Sequence, residues 1–235
     1  MLPKQEILLS PIRQVRLELY REFGDEAKEA FDFIIGNEAV CGVATPESVT
    51  PANPNKDADG VYIIYKDGSY ELFTGHNSKE DVKYVGLIYN GRHIAVALNN
   101  LGGEDKEYQF LKDGASAPKE SVYYTRQMGI CAFEDFAGKA NTEHIKNEYD
   151  SEIPFDLLED GEYIPAMGEW GLLMMFASRI NEALVYVGGT PIKGWLWSST
   201  EHSQYNAWLV YFGDGYTYHY TGKYHSDSVR AVAAF

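Results

Sequence analysis

Two dipeptides that favour tight turns, Asp67-Gly68 and Asn90-Gly91, constrain the fold of this chain more than any other feature of its sequence. The first joins "VYIIY" to "YELF", and the second joins "YVGLIY" to "RHIAVAL". Both dipeptides accept the left-handed backbone that a tight hairpin turn requires, and the flanking segments have the composition of strands. The sequence therefore predicts two antiparallel hairpins within residues 61–98.

The middle of the chain has helical patterns, and its end returns to strands. Residues 120–149 predict two helical pieces broken near Gly129, and residues 162–188 predict a short strand, a turn and a helix that ends at Gly188. Four residues of that helix are expected to face the core: Leu172, Met175, Ile180 and Leu184. Residues 195–235 predict strands at "WLWSST", "AWLVYF", "YTYHYTG" and "VRAVAAF". Strands on both sides of central helices are typical of the α+β class.

The first 50 residues have a different pattern. Ser10-Pro11 is a helix-start signal, and apolar residues between 12 and 23 recur at helical spacing, although three of them also alternate as in a strand. Residues 44–60 are rich in Pro, Asn and Asp, as in a linker. We therefore divide the chain into an N-terminal helical segment with a linker, residues 1–50, and one domain, residues 51–235.

The charge and the cysteines limit the partners. A net charge of −15 argues against nucleic acid and against anionic membrane surfaces, because both would repel the protein. The sequence also lacks an apolar run near the roughly 20 residues that a membrane span needs. Cys41 and Cys131 fit no metal or redox spacing, which leaves two buried thiols or one long-range disulfide.

Residues 201–228 have an unusual composition. Tyr, His, Ser, Gly, Asp and Asn account for 18 of these 28 residues, including six tyrosines and three histidines. Tyrosine supplies a large rigid contact area at low entropic cost, and Ser, Gly and Asn supply adaptable hydrogen bonds, as in antibody paratopes. This composition predicts a binding surface rather than an ordinary β-sheet core.

Alternation along the strands indicates which side chains form that surface. In "AWLVYF" it places Trp208, Val210 and Phe212 towards the core and directs Leu209 and Tyr211 outward. In "YTYHYTG" it separates two faces, with Tyr216, Tyr218 and Tyr220 on one and Thr217, His219 and Thr221 on the other. Both faces cannot be core, because His219 would then be buried without an evident partner.

Two features could instead serve catalysis or metal binding. Residues 148–162 contain seven carboxylates, which could support glycoside hydrolysis or calcium binding but usually mark a solvated surface. Zinc binding is conceivable at His202, His219 and His225, although no cysteine supports them. No Gly-x-Ser-x-Gly motif is present. We expect no catalytic residues, metal or cofactor, and the alternative of a different class is a hydrolase that uses the acidic loop.

Several segments carry a resemblance to a known family: "GEWGLLMMFASRINEALVYVGGT", "WLWSSTE", "NAW", "GDG" and "VRAVAAF". They resemble the variable proteins of diversity-generating retroelements, especially the group found in gut Bacteroides and their phages. The strong part covers residues 162–235, and a looser part extends back to about residue 60. The resemblance implies a C-type lectin-like fold, related to that of formylglycine-generating enzyme. It also implies diversification at template adenines, which converts Asn codons to Tyr, His, Asp, Ser and Gly.

Carried over residue by residue, the resemblance divides residues 197–235 into fixed and variable positions. The implied scaffold consists of Trp197, Ser198, Ser199, Thr200, Ala207, Trp208, Phe212, Val229 and Arg230. The implied variable, ligand-binding positions are His202, Tyr205, Asn206, Leu209, Tyr211, Asp214, Tyr216, Tyr218, His219, Tyr220, Gly222, Tyr224, His225 and Asp227. The calcium-type sugar motifs of C-type lectins and the active-site cysteine pair of formylglycine-generating enzyme are absent, so neither activity is implied.

Together these features predict a non-enzymatic protein that binds a protein or glycan receptor on a target cell. The opening of the chain lacks the apolar core of a secretory signal, which favours a phage tail receptor-binding protein. In that setting residues 1–50 would dock onto the tail or form a homo-oligomer. A bacterial cell-surface adhesin of the same fold is the alternative.

Overall fold

The computed structural model describes residues 58–116 and 131–235, which belong to the unit Asn53–Phe235. The predicted N-terminal helix, the break near Gly129 and Cys41 lie outside the described residues, so these points stay predictions. Both alternatives for the cysteines therefore stand. Within the described ranges, none of the helices is long and apolar enough to cross a membrane.

The two predicted hairpins are confirmed, and they build most of a five-stranded sheet. Its strands lie in the order β10-β4-β3-β1-β2, and all four pairings are antiparallel. Asn90 and Gly91 have φ values of 49° and 74°, as a two-residue hairpin turn requires. The strands are β1 (Gly60–Tyr65), β2 (Tyr70–Leu72), β3 (Val82–Tyr89), β4 (Arg92–Ala97) and β10 (Val232–Ala233).

Three α-helices occur in the described part of the chain: α1 (Gly138–Glu148), α2 (Met167–Met175) and α3 (Ala177–Tyr186). The single helix expected to end at Gly188 is thus two helices that meet at Phe176. Ile180 and Leu184 are buried as predicted, but Met175 is 44% exposed. The prediction for Met175 is wrong because the break at Phe176 interrupts the helical period on which it depended.

Five more strands complete the fold. A three-stranded antiparallel sheet contains β6 (Trp195–Glu201), β7 (Asn206–Tyr211) and β8 (Tyr216–Gly222). A two-stranded ribbon pairs β5 (Tyr108–Gln109) with β9 (Ser226–Asp227). Mixed helices and antiparallel sheets confirm the α+β class.

Strand β7 contributes to two hydrophobic cores. Trp208 and Val210 pack in the larger core with residues of the five-stranded sheet, α2 and α3. Ala207 and Leu209 pack in a second core with Trp197. Alternate side chains of β7 point to opposite faces of its sheet, so both faces of this strand are partly covered.

Buried polar side chains fasten α2 to β6. Thr200 Oγ1 accepts a hydrogen bond from the Met167 backbone N–H at 2.9 Å and donates one to Asp135 Oδ2 at 2.7 Å. The Glu169 carboxylate accepts a bond from the Ala166 backbone N–H at 2.7 Å, and burial raises the pKa of this carboxyl to about 7. These bonds satisfy N–H groups at the start of α2 that have no partner within the helix. They position β6 and hence the sheet that it begins.

Candidate ligand-binding face

Strand pairing arranges five aromatic residues and one leucine of β6, β7 and β8 in two rows. Directly paired residues of antiparallel strands point to the same side of a sheet, so both rows share one face. The outer row consists of Trp195, Tyr211 and Tyr216, and the inner row consists of Trp197, Leu209 and Tyr218. The sheet therefore brings tyrosines of β7 and β8 beside a tryptophan of β6.

A surface groove of about 690 Å³ runs along these rows. Trp195 is 38% exposed and packs edge-to-face against Tyr211, with ring centroids 5.3 Å apart. Rings with hydroxyl, imidazole and carboxylate groups around them suit the binding of a ligand that is partly apolar and partly polar. We call this feature the groove, and it is lined by Trp195, Leu209, Tyr216, Thr217, Tyr218, Tyr220, Thr221, His225 and Asp227.

A β-bulge shifts the strand register near the end of β8 and so changes which side of the sheet the following side chains point to. The register of β7 with β8 shifts between Ala207 and Leu209, so His219 and Tyr220 both lie opposite Trp208. The His219 ring centroid is 4.9 Å from that of Trp208 and 4.1 Å from that of Tyr220. Simple alternation therefore fails at Thr221, which pairs with Ala207 on the side of Leu209, because one extra residue in the bulge resets the two-residue period.

A small aromatic cluster covers Trp208. It contains His202, whose ring centroid is 4.7 Å from that of His219 and 5.1 Å from that of Tyr220. Burial, and then the nearby His219, lower the pKa of His202 below its usual value of 6.5. Its surroundings therefore favour the neutral form of the His202 ring. It acts there as a flat surface for packing rather than as a charge.

The 14 predicted ligand-binding residues fall into three groups by exposure. The exposed ones are Tyr205, Asp214, Tyr216, Tyr218, Tyr220, Tyr224 and His225. The half-buried ones are His202, Asn206, Tyr211, His219 and Asp227, and the buried ones are Leu209 and Gly222. The expected outward position of Leu209 is wrong, since the second core covers this part of β7 and leaves Leu209 4% exposed.

The predicted scaffold is buried as a whole. Each of the nine residues assigned to it, from Trp197 to Arg230, is at most 1% exposed. Arg230 illustrates how polar members are accommodated, because its guanidinium donates hydrogen bonds to the backbone carbonyl oxygens of Ala97 at 2.9 Å and Thr190 at 3.0 Å. The separation between buried scaffold and exposed tyrosines therefore follows the division made from the sequence.

A buried ion pair that the sequence pattern did not predict supports the end of β8. Lys223 is fully buried and forms a salt bridge with Glu201 at the end of β6. Its ammonium group also donates to the Tyr149 hydroxyl at 2.8 Å and to the Gln204 carbonyl oxygen at 3.0 Å. Desolvation lowers the pKa of Lys223, and the charge of Glu201 acts in the opposite direction. This cluster ties β8 to β6, to the loop between β6 and β7, and to the segment after α1.

Part of the groove consists of residues that the sequence pattern did not predict. Trp195, Thr217 and Thr221 line it, although none was among the predicted binding residues. Trp195 is two residues from Trp197 and so shares its side of β6 by alternation. The alternation along β6 could have suggested Trp195 as a neighbour of Trp197. Only the pairing with Tyr211 places Trp195 beside the tyrosines.

The acidic loop is engaged in local contacts. Asp150 forms a salt bridge with Lys112, and Glu159 forms one with Lys83 at 3.1 Å. Glu152 accepts a hydrogen bond from the Gln109 backbone N–H at 3.2 Å. Across residues 58–116 and 131–235, no group of three or more His, Cys, Asp or Glu residues is arranged to hold a metal ion.

Comparisons with known proteins give one structural neighbour. No protein-family model matches the sequence, and no curated protein matches it. The fold is similar to that in the crystal structure of a fimbrial protein from Bacteroides ovatus ATCC 8483, with a TM-score of 0.55 and 16% sequence identity. The match covers 76% of this chain and 49% of the fimbrial protein, so this chain spans about half the length of its neighbour. At this identity the likeness concerns the fold alone.

Proposed function

We propose that this protein is a non-enzymatic adhesin that binds a receptor on a target cell through the groove and the exposed tyrosines around it. One observation carries this proposal. Of the ten exposed large hydrophobic residues in the described ranges, six lie between Trp195 and Tyr224. A soluble surface rarely concentrates such residues unless they contact a partner.

The surface also has the physical properties of a recognition site. The exposed tyrosines are Tyr205, Tyr216, Tyr218, Tyr220 and Tyr224, and each is at least 50% exposed. Their rings offer contact area with few rotatable bonds, so binding costs little side-chain entropy. The scaffold beneath them is closely packed, and changes at the surface can therefore alter the ligand without altering the fold.

The proposed fold is C-type lectin-like, and the proposed origin of the tyrosines is diversification by a retroelement. The resemblance of residues 162–235 to retroelement variable proteins supports both. The fimbrial neighbour favours a cell-surface adhesin as the setting. A phage tail receptor-binding protein remains the alternative.

Binding should depend on the tyrosines and not on exposed apolar residues elsewhere. We expect the triple variant Y216S/Y218S/Y224S of the full chain to lose at least about tenfold in affinity, because several interface aromatics are removed together. The measurement is titration of fluorescently labelled protein onto a glycan array, gut epithelial cells and Bacteroides cells. The control variant L157S/V185S removes two exposed apolar side chains outside residues 195–224 and should bind like the wild type.

The circular dichroism spectrum and melting midpoint of both variants should match those of the wild type. If the triple variant is folded and still binds with wild-type affinity, the exposed tyrosines are not the binding surface. If the wild-type protein binds neither the glycan array nor either type of cell, the proposal of an adhesin for such receptors is wrong.

Diversification predicts a pattern among sister copies of the gene. Copies from one population should differ at exposed positions such as Tyr205, Tyr216, Tyr218 and Tyr224, because changes there leave the core intact. They should agree at Trp197 and at the other scaffold residues, and buried Leu209 and Gly222 should vary less than the exposed positions. Sequencing the gene and the neighbouring DNA tests this, and a template repeat with differences at adenines is expected. Differences spread evenly along the chain would contradict diversification.

A further inference from the structure

We propose that the groove binds a cationic side chain, a lysine or an arginine, of a protein receptor. This inference rests on the proposed binding function and adds the chemistry of the group that the groove selects. It follows from three observations: the distribution of charge around the groove, the aromatic rings that line it, and the environment of Asp227.

The charged groups of this region leave a negative surface. Residues 195–235 contain one lysine and one arginine, Lys223 and Arg230, and both are fully buried. Lys223 is neutralised by Glu201, and Arg230 is bonded to backbone carbonyl oxygens. Asp214 is exposed and Asp227 is half-buried. The face therefore offers carboxylates and no accessible lysine or arginine of its own, in a chain whose net charge is −15. Such a field attracts a cationic partner.

The rings of the groove supply the second element of cation recognition. Trp195, Tyr216, Tyr218 and Tyr220 all line it. The face of an aromatic ring is electronegative, and a cation within about 6 Å of its centroid is attracted to it, most strongly by tryptophan. Tyr186 and Phe73 bind cations in this manner elsewhere in the molecule, since Lys79 Nζ lies 4.1 Å from the Tyr186 centroid and Arg179 Cζ lies 4.2 Å from the Phe73 centroid. The lining of the groove contains no lysine or arginine to occupy its rings in this way.

Asp227 supplies a carboxylate at the same place. It lines the groove and lies in β9, beside Ser228, which bridges to Leu196 of β6. Burial, and then the charge of Glu107, raise the pKa of Asp227 to about 7. No ion pair involves Asp227 in the described part of the chain. A cation entering the groove would compensate this desolvated carboxylate, whereas a neutral group of the same shape would not.

The alkyl part of the cationic side chain also fits the groove. Lysine and arginine carry apolar stems that pack along apolar surface while their charged ends reach polar groups. Leu209 and the rings provide that apolar surface, and Asp227 and His225 provide the polar end. A paratope-like composition of Tyr, Ser and Gly is typical of protein recognition, which favours a protein as the source of the cation.

The experiment uses NMR on the full chain. The indole N–H signal of Trp195 is identified by its loss in W195F, and three probes are titrated: N-acetyl-lysine methylamide, N-acetyl-norleucine methylamide and choline. Norleucine has an apolar chain without the ammonium group, so it is the matched neutral control. We expect the lysine probe to shift the Trp195 signal in a saturable manner and to bind at least about fivefold more tightly than the norleucine probe.

Two variants test the role of the carboxylate. D227N keeps the shape of the side chain and should weaken lysine binding about tenfold, because the charge partner is removed. D67N removes an exposed carboxylate in the turn between β1 and β2, outside the groove lining and outside residues 195–235, and it should leave binding close to that of the wild type. The melting midpoints of both variants establish that they remain folded.

Three results would overturn the assignment. Norleucine binding equal to that of lysine would make the groove an apolar site, and a folded D227N variant with unchanged affinity would remove the carboxylate from the site. Choline binding more tightly than lysine would point to a quaternary ammonium ligand such as a lipid headgroup. These results do not decide the proposed binding function. The triple variant Y216S/Y218S/Y224S can lose cell binding even when the groove does not select cations.

Discussion

Trp208→Ala is expected to lower the free energy of unfolding by about 3–5 kcal/mol, the range for truncating a buried aromatic residue. Trp208 is 1% exposed and belongs to the larger core, which also contains Trp170 and Phe212. His219 packs on its other side, with ring centroids 4.9 Å apart. Truncation would leave a large cavity that the two sheets cannot close, because both are fixed by strand pairing. Equilibrium denaturation in urea, followed by far-UV circular dichroism, measures the change.

Tyrosines on the outer surface provide the matched comparison. Tyr218→Ala and Tyr220→Ala also remove one aromatic ring each, but these rings are 50% and 60% exposed. Their effect on the free energy of unfolding should stay within about 0.5 kcal/mol, as is usual for exposed positions. If either tyrosine variant is destabilised as strongly as W208A, the division between a buried scaffold and an exposed binding face is wrong.

Lys223→Met is expected to destabilise the protein by about 3–5 kcal/mol, because it leaves the Glu201 charge buried without its cation. Lys223 is fully buried and Glu201 is 1% exposed. The substitution also removes donors to the Tyr149 hydroxyl and the Gln204 carbonyl oxygen. Urea denaturation at pH 7 gives the magnitude, and the expected loss is comparable to that of W208A.

A double variant separates the charge effect from a packing effect. Replacing both members of a buried pair by apolar groups of similar size is often neutral or even stabilising. K223M/E201L should therefore recover a large part of the stability that K223M loses. If the double variant is less stable than K223M, the loss comes from the other hydrogen bonds of Lys223 and not from the missing charge partner of Glu201.

The backbone of Lys223 also holds the exposed tyrosines of the binding face in place. Its backbone N–H donates to the Tyr205 carbonyl oxygen at 2.9 Å, and its backbone carbonyl oxygen accepts from the Leu111 N–H at 2.8 Å. Tyr205 and Tyr224 are thus attached to a rigid, buried anchor while their side chains remain exposed. A binding surface whose rings are held by such an anchor loses less entropy when it binds.

The residues of the two hairpins explain why much of the fold could be predicted. Asn90-Gly91 and Asp67-Gly68 specify turns by local backbone preferences, which act within a few residues and can be read from the sequence. The buried position of Trp208 and Phe212 was likewise predictable, because alternation requires only that one face of a strand meets the core. Met175 and Leu209 were misplaced, since their burial depends on a helix break and on a second core formed by distant segments.

The sequence by itself determined which residue types the C-terminal region displays, and it placed β6, β7 and β8 to within one residue of their observed bounds. These properties depend on composition and on short-range periodicity. The tertiary structure alone decided that Trp195 packs against Tyr211, that a bulge places both His219 and Tyr220 opposite Trp208 in the strand pairing, and that Lys223 is buried against Glu201. Each of these contacts depends on strand register or on the docking of segments far apart in the chain. Register is fixed by the combined packing of the whole sheet, which no short stretch of sequence encodes.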